Sequence, residues 1–80
     1  MIVKVLGPGC RNCRRLEERA REALSRLGLT AEVQKVTDYG EIAGYGVMRT
    51  PGLVVDERVV ASGRVPTVAQ LRELLATVPT

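Results

Sequence analysis

The chain has 80 residues, of which 45% are hydrophobic, so positions 1–80 are expected to form a single domain with an aliphatic core. Two tyrosines are its only aromatic residues and its net charge is +3, which argues against a nucleic-acid partner because neither stacking rings nor a strongly basic surface is supplied. Histidine is absent, which excludes serine–histidine hydrolysis and histidine-ligated metal sites.

The first 36 residues predict a strand, a helix and a second strand. Four of the five residues over 2–6 are aliphatic and the run ends at Gly7-Pro8-Gly9, which is typical of a buried strand followed by a turn. Apolar residues recur at helical spacing over about 12–27, and Gly28 is expected to end that helix. Residues 31–36 predict the second strand.

The next segment predicts a short helix and a β-hairpin. The helix is expected to start at Thr37 or Asp38 and to extend through Tyr45. Thr50-Pro51-Gly52 opens a strand over 53–55, and a tight turn at Asp56-Glu57 leads to an antiparallel strand over 58–61.

A closing helix follows the hairpin. Thr67 and Gln70 have the spacing of a capping box, in which each side chain hydrogen-bonds to the other residue's backbone. The element order β-α-β-α-β-β-α predicts an α/β fold, a four-stranded mixed sheet with helices on both faces, whose first two strands are parallel. The closing helix is expected to bury Val68, Leu71, Leu74 or Leu75, and Val78.

The sequence predicts a cytoplasmic protein. No apolar run approaches the ~20 residues needed to span a bilayer, so no membrane partner is expected. The apolar segment after Met1 is too short for the core of a secretory signal peptide. Cytoplasmic thiols are normally kept reduced, which makes the two cysteines of the chain candidates for function.

Those cysteines form the motif Cys10-Arg11-Asn12-Cys13 at the junction of the first strand and the first helix. The unpaired N–H groups and partial positive charge of a helix start stabilise a thiolate. Arg11 and Arg14 add positive charge that favours the same form. We also expect Gly7 and Gly9 to let the chain turn sharply and leave Cys10 uncovered. A nucleophilic Cys10 with Cys13 as its resolving partner is therefore predicted.

Two other interpretations of the motif remain open. A structural disulfide is one, although so short a loop constrains the unfolded chain little and the expected compartment is reducing. Half of a metal site is the other, since two thiolates suit Cu(I) or a zinc ion shared across a dimer. One chain cannot complete a four-ligand zinc site, because it has no third cysteine and no histidine.

Strand, glycine-rich turn, CxxC at a helix start, and Thr50-Pro51 before a hairpin together resemble the thioredoxin fold. Over nearly its whole length the chain is most similar to a minimal form of that fold, the small thioredoxin/glutaredoxin-like redox-active disulfide proteins. Their Gly-x-Gly-Cys-x-x-Cys start matches Gly7-Pro8-Gly9-Cys10 and the residues up to Cys13.

The resemblance implies substrate-binding roles for three residues. Pro51 would be a cis-proline packed against the active-site disulfide, and the backbone of Thr50 would pair with a bound substrate strand. Gly63 would allow a substrate backbone to approach. The alternatives are an ordinary proline at a strand start and a plain turn glycine.

The chain departs from thioredoxins at three places. Gly9 replaces the tryptophan before the first cysteine, and Arg11-Asn12 replaces the central Gly-Pro of thioredoxins or Pro-Tyr of glutaredoxins. Lys4 stands where thioredoxins keep a buried acid. Directed inward, Lys4 would favour the thiolate by its charge; directed outward, it would be a solvated strand residue. The redox potential and the direction of electron flow stay open.

The resulting hypothesis is a thiol–disulfide oxidoreductase that acts as a protein-disulfide reductase or electron carrier in redox homeostasis. It would exchange Cys10–Cys13 with protein or small-molecule disulfides, would need no cofactor beyond that disulfide, and would be reset by a reductase or a small thiol. The alternative is a Cu(I) chaperone using the same CxxC. Such carriers usually follow β-α-β-β-α-β and have a methionine where this chain has Pro8. A protein-binding domain with an idle disulfide is a third possibility.

Overall fold

A computed structural model describes residues 1–76, and these form four strands and three helices in the predicted order. Where a first or last residue was predicted for one of these elements, the observed residue differs from it by at most two positions. The elements are β1 (Ile2–Leu6), α1 (Arg11–Leu27), β2 (Glu32–Val36), α2 (Tyr39–Gly44), β3 (Gly52–Val55), β4 (Arg58–Ser62) and α3 (Val68–Ala76).

The four strands form one mixed sheet in the order β2-β1-β3-β4. β1 is parallel to β2 and antiparallel to β3, and β3 is antiparallel to β4. The predicted four-stranded mixed sheet is therefore confirmed. β1 and β3 lie at its centre, and in their register Leu6 is opposite Gly52. The end of β1 and the start of β3 consequently meet at one edge of the sheet.

Helices cover both faces of the sheet, as predicted. Successive side chains of a strand point to opposite faces. Val3 and Val5 therefore join the cluster under α1 and α3, whereas Leu6 joins the cluster under α2. The buried core residues of the helices are Leu16, Ala20, Ala23 and Leu24 of α1, Ile42 of α2, and Leu71 and Leu75 of α3.

Local sequence signals account for the C-terminal end of α1 and the N-terminal end of α3. Gly28 adopts the left-handed conformation at φ +68, with its N–H donating to Ser25 O and that of Leu29 to Leu24 O, which is the Schellman motif. At α3 the predicted capping box is confirmed. Gln70 N donates to Thr67 Oγ1 at 3.1 Å, and Thr67 N donates to Gln70 Oε1 at 2.9 Å.

The closing helix matches its predicted core only in part. Leu71 and Leu75 are buried, whereas Val68 and Leu74 are partly buried against the same cluster. Val78, also expected in the core, lies outside the described residues. Within residues 1–76 no helix is long and apolar enough to cross a bilayer.

The hairpin turn between β3 and β4 uses residues that rarely adopt its conformation. Asp56 and Glu57 both have positive φ, +47 and +68, as a two-residue type I′ turn requires. Asp56 is held by β1, because its N–H donates to Ile2 O at 2.9 Å and its Oδ1 accepts from Ile2 N at 2.8 Å. This tertiary anchor offsets the unfavourable backbone conformation.

Replacement by alanine should have opposite effects on stability at Gly28, which follows α1, and at Gly44, the last residue of α2. Gly28→Ala should destabilise the protein by about 1 kcal/mol, because a Cβ is disfavoured at positive φ. Gly44→Ala should stabilise it by about 0.5–1 kcal/mol, because Gly44 is helical and a Cβ there meets nothing within 4 Å. Denaturant unfolding of the oxidised proteins measures both. Shifts of the same sign would contradict this account.

Candidate active site

The site lies at the sheet edge where β1 ends and β3 begins. After β1 the chain stays attached to the neighbouring strand, since Gly7 N donates to Val36 O at 2.9 Å. The loop to α1 is therefore short, and Cys10 becomes the N-cap of that helix. The pairing of Leu6 with Gly52 places Thr50-Pro51 beside this loop.

Cys10 caps α1 with its sulfur. Its backbone is extended, and its Sγ accepts a hydrogen bond from Cys13 N at 3.2 Å. The first turn contributes no acidic residue. The predicted placement of Cys10 at the cap is thus confirmed. A thiolate at this position faces unpaired N–H groups and the positive end of the helix dipole, both of which stabilise it.

Cys10 and Cys13 differ in exposure. They are joined as a disulfide, with their Cα atoms 5.1 Å apart. Cys10 is exposed, whereas Cys13 is only 5% exposed. A partner protein can therefore reach Cys10 more readily than Cys13.

Gly7 is required by close packing. A Cβ built on Gly7 would collide with Cys13 Sγ, and it would lie 3.8 Å from Thr50 Cβ. Gly7 and Gly9 both lie in the bend that follows β1, and Gly9 has a positive φ of +88. The contact also shows that Thr50 lies next to Cys13.

The Thr50–Pro51 peptide bond is cis, the geometry that the resemblance implied. Pro51 is buried and Thr50 is half-buried. Pro51 O accepts a hydrogen bond from Gly63 N at 2.9 Å, which ties this segment to the end of the hairpin. Thr50, Pro51 and Gly63 therefore form one structural unit beside the disulfide.

Gly63 combines features of both interpretations made from the sequence. Its φ of +71 is typical of a turn glycine. The space above it is occupied by Arg49, whose Cβ would lie 3.1 Å from a Cβ built on Gly63. Arg49 is a residue of this site that the sequence analysis missed, since only the fold brings it against Gly63.

Lys4 points away from the cysteines. Val5 lines the cavity beside Cys13, and the neighbouring Lys4 consequently faces the opposite side of the sheet. Its Nζ donates to Glu57 Oε1 at 2.7 Å and to Tyr45 Oη at 2.8 Å. The hydrogen bond to Glu57, followed by that to Tyr45, raises the pKa of Lys4 above its usual range. Neither alternative made from the sequence is correct. Lys4 does not point toward the cysteines, and it is ion-paired with Glu57 on the opposite face of the sheet.

A small cavity of about 100 Å³ lies behind Cys13, between α1 and the ends of β1 and β2. Glu17 lines it one helical turn after Cys13, and the Glu17 side chain is 16% exposed. Its carboxylate contacts Lys35 Nζ and Arg21 at 3.1 Å each. Burial disfavours the charged carboxylate and by itself would raise the pKa of Glu17. The two hydrogen bonds outweigh burial and hold that pKa below its ordinary value.

The pair of Glu17 with Arg21 follows from their i,i+4 spacing, but the contact with Lys35 does not. The same spacing relates Cys13 to Glu17, and this signal could have placed the carboxylate beside the buried cysteine. Lys35 could not have been found, since it comes from another element. The cavity is further lined by Gly7, Gly9, Arg14 and Thr37.

No cluster of three or more histidine, cysteine, aspartate or glutamate side chains that could hold a metal ion occurs within residues 1–76. The cysteine pair alone could supply the two thiolates that suit Cu(I). The order of elements differs from the β-α-β-β-α-β order expected of copper carriers. An exposed N-cap cysteine, a buried partner and a cis-proline beside them define a thiol–disulfide oxidoreductase with the thioredoxin fold.

Comparison with known proteins agrees with this class. The sequence profile of the thioredoxin domain family matches residues 1–76. A thioredoxin of Methanocaldococcus jannaschii is 37% identical over 75 residues, covering 94% of this chain and 86% of the relative. A thioredoxin of Methanothermobacter thermautotrophicus is 37% identical over 76 residues, covering 95% of this chain and 99% of the relative. The chain belongs to the thioredoxin domain family.

The packing of Gly7 against Cys13 can be tested by a double-mutant cycle. Gly7→Ala should destabilise the protein by about 1–3 kcal/mol, because the new methyl group overlaps the sulfur. In a Cys13→Ala background the sulfur is gone, and most of that penalty should disappear. Denaturant unfolding of the four proteins, all reduced, gives the coupling. An equal penalty in both backgrounds would mean that the clash lies elsewhere.

The Glu17 contacts predict a pH-dependent contribution to stability. The pKa of Glu17 is lower in the folded than in the unfolded protein, so its contribution is present above the unfolded pKa and is lost as pH falls through the folded pKa. Glu17→Gln should therefore lose about 1 kcal/mol at pH 7 and converge on the original protein at acid pH.

Glu22→Gln is the matched control, because Glu22 makes one exposed i,i+4 pair with Arg26 at 2.9 Å. Its loss at pH 7 should stay below about 0.5 kcal/mol. Urea unfolding at a series of pH values measures both variants. If Glu17→Gln showed the same loss at every pH, the contribution would not come from the charge.

Proposed function

We propose that this protein carries electrons as a protein-disulfide reductase, with Cys10 as nucleophile and Cys13 as resolving cysteine. The observation that carries the assignment is the difference in exposure: Cys10 is open at the helix cap, and Cys13 is 5% exposed behind it. The thioredoxins to which the chain is similar support a disulfide in a protein as the target.

The first step is attack by the Cys10 thiolate on one sulfur of the target disulfide. The other target sulfur leaves as a thiolate and takes a proton from solvent, and a mixed disulfide joins Cys10 to the target. The cap position stabilises the attacking thiolate through Cys13 N and the helix dipole. Arg11 and Arg14, both exposed beside the cysteines, add positive charge to the same end.

The second step is attack by Cys13 on Cys10. The Cys13 thiolate displaces the target sulfur from Cys10 Sγ, which forms the Cys10–Cys13 disulfide and releases the fully reduced target. Two electrons thus pass from the protein to its target, and no further cofactor is needed. A reductase or a small thiol then returns the two electrons, which places the protein in electron transport and cytoplasmic redox homeostasis.

Substrate binding is assigned to the segment beside the disulfide. Thr50 lies next to Cys13 and, together with Pro51 and Gly63, forms one hydrogen-bonded unit at the open sheet edge. A target chain lying across this unit could pair with the backbone of Thr50 while its disulfide faces Cys10. Arg49 would have to shift from Gly63 before a target backbone could come close there.

The two cysteine roles predict different outcomes for two similar substitutions. Cys10→Ser should abolish reduction of a protein disulfide, because the exposed nucleophile is lost. Cys13→Ser should keep the first step and accumulate a mixed disulfide, since no thiolate releases it. Turnover with dithiothreitol as electron donor, together with mass spectrometry of the products, measures both. Adducts formed by Cys10→Ser and not by Cys13→Ser would reverse the roles.

Measurements on the original protein separate redox function from copper binding. Equilibration in graded glutathione buffers, followed by alkylation and mass analysis, should show a reversible two-thiol transition. A midpoint near about −270 mV would indicate a reductant and one near about −120 mV an oxidant. Tight Cu(I) uptake without any reversible pairing of the thiols would instead identify a copper carrier.

A further inference from the structure

Four of the other eight cations of the protein have a carboxylate partner, and none of the four arginines around the disulfide has one in the described part of the chain. Within residues 1–76 the ion-paired cations are Lys4, Arg21, Arg26 and Lys35. None of Arg11, Arg14, Arg49 and Arg64 forms an ion pair in this part of the chain, and all four are exposed. We call these four residues the arginine ring.

Contacts place the four residues of the arginine ring around the redox site. Arg11 lies between the two cysteines, and Arg14 lines the cavity beside Cys13. Arg49 precedes Thr50 and lies against Gly63, and Arg64 is the next residue along the chain. The ring therefore combines the start of α1 with the two loops that flank β3 and β4.

Among the described residues, two carboxylates near this edge are engaged elsewhere, and Glu73, which lines a cavity together with Arg64, forms no ion pair with it. Glu17 is bound by Arg21 and Lys35, and Asp38 accepts a hydrogen bond from Glu41 N at 3.0 Å as the cap of α2. Four like charges on one face repel one another, so fold stability does not explain their clustering. A partner with negative charge would relieve this repulsion.

An exposed apolar residue beside the ring points to a protein partner. Met48 directly precedes Arg49, and 92% of its surface is exposed. Flexible methionine side chains are common on surfaces that bind varied protein partners. Arginine in turn binds carboxylates through two parallel hydrogen bonds, which suits the recognition of aspartate and glutamate side chains.

We propose that the arginine ring selects protein substrates whose disulfide is flanked by aspartate and glutamate residues. This inference rests on the proposed function, and the chemistry at Cys10 and Cys13 is unchanged by it. The ring acts before the first step, because opposite charges speed encounter and orient the target disulfide toward Cys10. The selection is therefore electrostatic and should be weakened by salt.

The test compares three short peptides that carry the same intramolecular disulfide with acidic, neutral or basic flanking residues. At 0.01 M ionic strength, where the screening length is about 30 Å, kcat/KM should be about 10-fold higher for the acidic than for the neutral peptide, and lowest for the basic one. At 1 M, where that length is about 3 Å, the difference should fall below about twofold. Dividing each value by the rate with dithiothreitol corrects for intrinsic reactivity.

Variants connect the preference to the ring. Arg49→Gln combined with Arg64→Gln should lower the acidic-to-neutral ratio by about threefold, and Gln keeps the aliphatic atoms that lie on Gly63. Arg72→Gln is the matched control, because it removes one exposed charge beside Leu27, at the opposite end of α1 from Cys10. Its ratio should match that of the original protein.

The outcomes separate this inference from the function on which it rests. Equal rates for the three peptides at low salt, or an acidic-to-neutral ratio that the double variant leaves unchanged, would overturn the arginine ring as the selecting surface while leaving the reductase intact. Failure to reduce any of the peptides, or any protein disulfide, would overturn both. A salt-sensitive acidic preference that the double variant lowers and Arg72→Gln does not would establish the arginine ring as the selecting surface.

Discussion

The antiparallel pairing of β1 with β3 is the interaction on which the site depends. The register that sets Leu6 opposite Gly52 brings the loop after β1 against the loop before β3. The cysteines belong to the first loop and Thr50-Pro51 to the second, although about forty residues separate them in sequence. A slip of one residue would move Val3 and Val5 to the wrong face. Core packing therefore enforces the geometry of the site.

Close packing at this edge also sets the different exposure of the two cysteines. α1 begins immediately after a short loop, so Cys10 remains at the cap while Cys13 turns inward against Gly7. A larger residue at position 7 would overlap the Cys13 sulfur in this position. The fold thus buries one cysteine and exposes the other, which is the difference on which the proposed roles of the two residues rest.

Charge is distributed unevenly over the molecule. On the face away from the cysteines, Lys4 forms hydrogen bonds with Glu57 and Tyr45. Glu17 of α1 forms ion pairs with two cations. The exposed arginines at the open edge keep their charge for a partner. Over residues 1–76, the absence of ion pairs in the arginine ring gives this end of the sheet a positive field, in a protein whose net charge is only +3.

The elements could be predicted from the sequence, because the signals that begin and end them act over a few residues. The Thr67–Gln70 capping box, the end of α1 at Gly28 and the cysteine at the N-cap of α1 were all predicted and all were found. The order of the strands, the contact of Gly7 with Cys13, the side to which Lys4 points and the covering of Gly63 by Arg49 follow from tertiary packing. These features join residues distant in sequence, and their partners are chosen by strand register and helix packing, which no local pattern encodes.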